Sequence, residues 1–155
     1  MTIKISTTFD AGAIEVVHAE NASAIELNLR KDSHADIAQW FYFRLQGARG
    51  ERCSMRILNA SDATYPDGWQ NYQAVASYDR KHWFRVPTSY DGKVMTIAHT
   101  PQYDSVYYAY FEPYSWERHL DLLARAQMSA TAQVQDLGNT CLLYTSPSPR
   151  DVEES

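Results

Sequence analysis

The chain has 155 residues and 17.7 kDa, of which 45% are hydrophobic and 21% charged. That length builds about one domain with a core of its own, so wholesale disorder is excluded and no staple is required. A net charge of −5 argues against a nucleic-acid or anionic-membrane partner. The two cysteines, Cys53 and Cys141, form no Cys-x-x-Cys and exclude a disulfide framework.

No apolar run approaches the roughly 20 residues of a membrane span, and Met1 to Ser6 lacks the apolar stretch of a signal peptide. A cytoplasmic protein is expected. In chain order, the first alternating segment is Ala24 to Arg30, with Ile25, Leu27 and Leu29 on one face and Glu26, Asn28 and Arg30 on the other. Ile37 to Gln46 contains Trp40-Phe41-Tyr42-Phe43-Arg44-Leu45, apolar on both faces, and reads as a central strand covered on both sides. Arg52 to Leu58 follows with Cys53, Met55 and Ile57 inward, and Gly47-Ala48-Arg49-Gly50 is expected to close a hairpin between these two strands. A loop from Asn59 to Asn71 holds the turn chemistry of Pro66-Asp67-Gly68.

Further strands are expected over Tyr72 to Tyr78, His82 to Val86, Lys93 to Ala98 and Val106 to Phe111. Aromatic residues at 13% suit such pleated, half-buried surfaces. Short strands with turns between them indicate an antiparallel β-sandwich. Its core is expected from Ile25, Leu27, Leu29, Phe41, Phe43, Leu45, Met55, Ile57, Val75, Ile97 and Val106.

At Pro113 the period changes. Ser115 can cap a helix, Glu117 suits its first turn, and Trp116, Leu120, Leu123 and Ala124 form an apolar stripe at helical spacing. Met128 or Ser129 ends this helix, and Ala132 to Leu137 reads as one more strand, stopped by Gly138. A lone helix and strand after a sandwich look like the opening of a second domain. Cys141 to Asp151, with Pro147 and Pro149, has no regular period and is expected to be unpacked.

Few residues suggest chemistry. The histidines His18, His34, His82, His99 and His119 show no zinc-ligand spacing, and the glycines form no phosphate-binding loop. Trp69, Tyr78, Trp83 and Tyr90 could form an aromatic platform for a sugar or peptide, although packing in the sandwich core is the favoured account of them. Tyr107 to Ser115 is a two-sided aromatic strand running into a helix start, which suggests packing against something beyond the sandwich. Tyr110, Pro113, Tyr114, Ser115 and Trp116 are the candidate domain-junction residues.

Five motifs occur in one order: Phe9-Asp10-Ala11-Gly12-Ala13-Ile14-Glu15-Val16-Val17, Gln39-Trp40-Phe41-Tyr42-Phe43-Arg44, Tyr78-Asp79-Arg80 with Trp83-Phe84-Arg85-Val86, Val106-Tyr107-Tyr108-Ala109-Tyr110, and Glu112-Pro113-Tyr114-Ser115. From Phe9 to Thr140 the chain resembles the N-terminal domain of the cytosolic carboxypeptidase-like branch of the M14 zinc carboxypeptidases, in its bacterial form. The resemblance implies a small antiparallel β-sandwich followed by an α/β carboxypeptidase domain, in which a zinc-polarised water activated by a Glu attacks the last peptide bond. Leu137-Gly138-Asn139-Thr140 resembles the first strand of that domain and its turn. Cys141 to Asp151 resembles instead the translation product of a sequencing adapter found on metagenomic fragments.

The expected domains are therefore residues 1–114, the sandwich, and 115–140, the start of a truncated catalytic domain. Residues 141–155 are expected to be a non-native, disordered tail. No catalytic residue and no metal ligand is expected here, and no cofactor in this fragment; zinc belongs to the parent. The expected partners are the missing catalytic domain and, for the parent, a peptide or protein C-terminus, with no nucleic acid and no membrane. The alternative is a stand-alone β-sandwich binding module that uses an aromatic face for peptide or carbohydrate.

Overall fold

The computed structural model describes residues 2–138, so the expected tail at 141–155 lies outside the described residues. The chain divides into two compact units between Glu112 and Pro113. The first contains β1 (Lys4–Ser6), β2 (Glu15–His18), β3 (Ile25–Asn28), β4 (Tyr42–Gln46), β5 (Cys53–Ile57), β6 (Val75–Ser77), β7 (Phe84–Arg85), β8 (Thr88–Tyr90), β9 (Met95–His99) and β10 (Ser105–Ala109). They make two five-stranded sheets, ordered β1-β4-β10-β6-β7 and β2-β3-β5-β9-β8.

The expected alternation is what separates the two faces. Phe43, Leu45, Val106, Tyr108 and Ala76 point from the first sheet into one core with Ile25, Leu27, Cys53, Met55, Ile57, Met95 and Ile97 of the second. Every expected core residue is buried. One of them faces the other way: Val75 belongs with Tyr42 and Ala109 to a second cluster on the outer side of the first sheet. Phe9, Ala11, Trp40, Trp83 and Tyr107 pack onto that outer cluster. The segment that covers it is tied down where Ala13 N donates to Tyr42 O at 2.8 Å and Tyr42 N to Ala13 O at 3.1 Å. The two-sided aromatic character of β4 and β10 is thus satisfied in part within the sandwich.

The expected hairpin at Gly47 to Gly50 is not one. β4 pairs with β1 and β10, whereas β5 pairs with β3 and β9, so the connection arches from one sheet to the other. Thr100 to Asp104 makes a second crossing between β9 and β10. The arches are bonded to each other, Gly47 N to Asp104 O at 3.0 Å and Gly50 N to Pro101 O at 2.8 Å. Because the chain leaves the second sheet after β3 to form β4 in the first, β5 returns to it in the same direction as β3. The β3–β5 pair is parallel, with Ile25 opposite Met55 and Leu27 opposite Ile57, and all other pairs are antiparallel.

Only the C-terminal half of the expected strand at Ile37 to Gln46 is paired. Ahead of it, the Gln39 side chain stands in for a strand partner, accepting from Tyr65 N at 2.8 Å and donating to Tyr65 O at 3.0 Å. Asn59 does the same for Leu29, accepting from its N at 2.7 Å and donating to its O at 3.1 Å.

In the second unit, α1 spans Trp116–Gln127, as its stripe predicts, and Ser115 Oγ accepts from Arg118 N at 3.2 Å as the N-cap. Residues 132–137 do not form the expected strand. A strand exists only through hydrogen bonds to a neighbour, and the described residues provide none for this segment.

Candidate functional site

The candidate junction residues fall on both sides of the boundary between the units. Tyr110 extends the β4–β10 ladder by one bond, its N donating to Phe41 O at 3.0 Å. Its ring stacks on Phe41 at 6.1 Å and meets Trp69 at 5.2 Å and Tyr72 at 5.3 Å. The Tyr72 hydroxyl donates to Tyr110 O, and burial pushes that hydroxyl's pKa up, so it keeps its proton. Tyr110 is therefore anchored on three sides within the sandwich.

Pro113, Tyr114, Ser115 and Trp116 frame the start of α1, and one residue ties them together. Arg118 donates its N to Ser115 Oγ and its Nη1 to Pro113 O at 3.1 Å, while its guanidinium lies 5.2 Å from the Tyr114 ring centre. The rings of Trp116 and His119 meet at 5.4 Å. Sequence reasoning missed Arg118, whose side-chain contacts to Pro113 O and the Tyr114 ring have no signal in the spacing. Tyr114, Arg118, Asp121, Leu122, Ala124 and Arg125 line a cleft of about 600 Å³.

The aromatic platform does not assemble. Trp69 is 1% exposed and its Nε1 donates to Ala60 O at 2.9 Å, so it is a core residue. Trp83 packs on Tyr42 over the outer face of the first sheet, at 5.9 Å. Tyr78 joins a different group, with Tyr103 at 4.8 Å, Phe84 at 5.5 Å and His99 at 6.3 Å. Tyr90 packs against the main core.

The titratable groups serve local structure. His82 Nδ1 lies 2.7 Å from Asp79 Oδ2, and Asp79 Oδ1 accepts from Lys81 N and His82 N, each at 2.8 Å. These donors, the His82 ring first, hold the Asp79 carboxyl far below the usual carboxylate range. His99 Nδ1 lies 2.7 Å from the Tyr108 hydroxyl, a part-buried contact between the two sheets that sequence spacing does not reveal. Cys53 is fully buried and desolvation raises its thiol to about 11, which removes it as a nucleophile. Among the described residues no three His, Cys, Asp or Glu side chains stand where they could hold a metal ion. The described residues do not fit zinc.

The model of the cytosolic carboxypeptidase N-terminal domain matches residues 5–111, nearly the whole first unit. The chain belongs to this family. A metallo-carboxypeptidase of Burkholderia cenocepacia is 59% identical and superposes with a TM-score of 0.87 over 89% of this chain and 36% of that one. A metallo-carboxypeptidase of Pseudomonas aeruginosa, solved with (2-guanidinoethylmercapto)succinic acid, is 41% identical with a TM-score of 0.78, over 80% of this chain and 33% of that one. An uncharacterized protein of Zymomonas mobilis is 41% identical over 140 residues, 90% of this chain and 37% of that protein. This cytosolic carboxypeptidase N-terminal domain thus spans roughly a third of the length of the relatives it matches. No helix among the described residues is long and apolar enough to cross a membrane.

Proposed function

We propose that this chain is the non-catalytic N-terminal accessory domain, with the opening of the next domain, of a cytoplasmic zinc metallocarboxypeptidase that removes C-terminal amino acids from peptides or proteins. The observation that carries this reading is the family match over residues 5–111 together with 59% identity to a metallo-carboxypeptidase of which the chain covers 36%. Zinc would supply a polarised, more acidic water for attack on the last peptide bond. No step of that chemistry is assigned to residues of this chain, because its described side chains make no metal-binding group. The part assigned to them is docking: Tyr110, Pro113, Tyr114, Ser115 and Trp116 form the junction to the catalytic domain, which is the partner.

The test is to recover the parent reading frame beyond Thr140 and assay both proteins on peptides with free C-termini. The parent should release C-terminal residues, lose that activity to a chelator and regain it with zinc, while the 155-residue chain releases none. A stop codon within a few residues of Thr140, or an active parent indifferent to chelation, would overturn the assignment.

A further inference from the structure

Three residues align across the outer face of the first sheet. Arg44 on β4 stands opposite Tyr107 on β10, and Tyr107 stands opposite Ser77 on β6. Ser77 Oγ accepts from Arg80 N at 2.7 Å and so brings a second arginine to the end of this row. The guanidinium carbons of Arg44 and Arg80 lie 6.0 and 5.7 Å from the centre of the same Tyr107 ring.

Arg44 is anchored through its side chain and Arg80 is exposed, and neither has a carboxylate partner among the described residues. Arg44 is half-buried, and its Nε donates to Ser105 Oγ at 2.9 Å, which fixes the plane of the guanidinium and leaves the two Nη groups as a fork. Neither Arg44 nor Arg80 takes part in an ion pair such as Lys31–Asp36, Arg56–Glu26 or His82–Asp79 among the described residues. Asp79, next to Arg80 in sequence, has both oxygens engaged in its own turn. Arg80 also has φ of 65°, a left-handed conformation that glycine adopts more cheaply than arginine. In a chain of net charge −5, two cations beside one aromatic ring make a local reversal of sign.

We propose that Arg44, Tyr107 and Arg80 form an oxyanion-binding site for a carboxylate or phosphate group. The Arg44 fork would take two oxygens of the anion, Arg80 would close on it from the other side, and the Tyr107 ring would keep the two guanidinium groups apart and ordered. The groups facing the site include the Tyr42 hydroxyl, which Arg80 contacts, and the Asp10 carboxylate, which acts on that hydroxyl from the covering segment. The site is independent of the peptidase reading.

The experiment is a titration of the isotope-labelled 155-residue chain with inorganic phosphate and, separately, with malonate, at constant ionic strength, followed by NMR. Saturable shifts centred on Arg44 Nε–H, Ser105 and Tyr107 are expected for at least one anion. Saturation by phosphate alone identifies a tetrahedral ligand, and saturation by malonate identifies a carboxylate. Arg80→Gly should weaken binding at least tenfold while raising the denaturation midpoint, because glycine relaxes the backbone there. Arg44→Lys, which keeps the charge and loses the fork, should also weaken binding. Asp10→Asn should tighten it. Linear, unsaturable shifts with both anions, or an affinity in Arg80→Gly and Arg44→Lys unchanged from that of the unsubstituted chain, would overturn the proposal.

Discussion

Phe43 sits on a central strand with no exposed surface, between Phe41 at 6.4 Å and Tyr108 at 5.5 Å. Phe43→Ala should therefore cost about 3–5 kcal/mol, the transfer free energy of the ring plus the cavity it leaves. Urea unfolding of the two proteins measures this, and a loss below about 1 kcal/mol would contradict the packing. His99 makes a pH-dependent contribution. Burial lowers its pKa below 6.5, so folding favours the neutral ring, which can accept the proton of the buried Tyr108 hydroxyl. The contribution is full above pH 6.5 and is lost as pH falls through the lower folded-state value, because the unfolded chain takes up the proton first. Stability should begin to fall below pH 6.5, and His99→Gln should flatten that part of the profile. At this scale alternation made Leu27 legible as buried, and the apolar run of a central strand did the same for Phe43. Alternation placed Val75 in the wrong cluster, since burial on either side of a two-faced sheet leaves the same apolar signature.

The strands that escape sequence reading are β1, β2 and β8, and all three are sheet edges. An edge strand is half solvated and needs no apolar alternation; every residue of β2 is exposed. The expected hairpin failed for a related reason, because glycines at Gly47 and Gly50 announce a turn without saying which sheet the chain enters next. The helix was fully legible from its cap and stripe. None of its residues is buried, Leu120 and Leu122 being 39% and 47% exposed, so its stability rests mainly on its own turns. A helix of 12 residues is marginal on those terms. Amides of α1 should exchange with solvent much faster than those of β4. Removing the cap with Ser115→Ala, at about 1 kcal/mol, should accelerate α1 further and leave β4 unchanged. Protection of α1 equal to that of β4 would show that packing, and not local structure, holds the helix.

Across the whole molecule, the aromatic strand running into a helix start pointed to a junction, and only the resemblance said what would lie across it. Ser115 and Trp116 announce a helix start, but nothing in their spacing specifies what lies beyond it. The row of Arg44, Tyr107 and Arg80 was hidden because its members come from two strands and the turn after a third. Two connections join the sheets at one end of the sandwich, and their glycines carry unequal burdens. Gly47 has φ of 86° and a Cβ there would stand 2.4 Å from Thr2 O, whereas Gly50 has φ of 75° and open space around it. Gly50→Ala should cost about 1–2 kcal/mol, the left-handed penalty alone. Gly47→Ala must also displace the N-terminal backbone, and thermal unfolding should show the larger drop in midpoint.

The bonds between those two arches also determine where new sequence can be accommodated. A peptide inserted between Gly47 and Gly50 would pull on Pro101 and Asp104 and so disturb two chain crossings at once. The Asp91–Gly92 turn joins β8 and β9 within a single sheet, and Gly92 has nothing within 4 Å of where a Cβ would be. A tag or a fused domain displayed there would load one hairpin and leave the registry between the two sheets untouched.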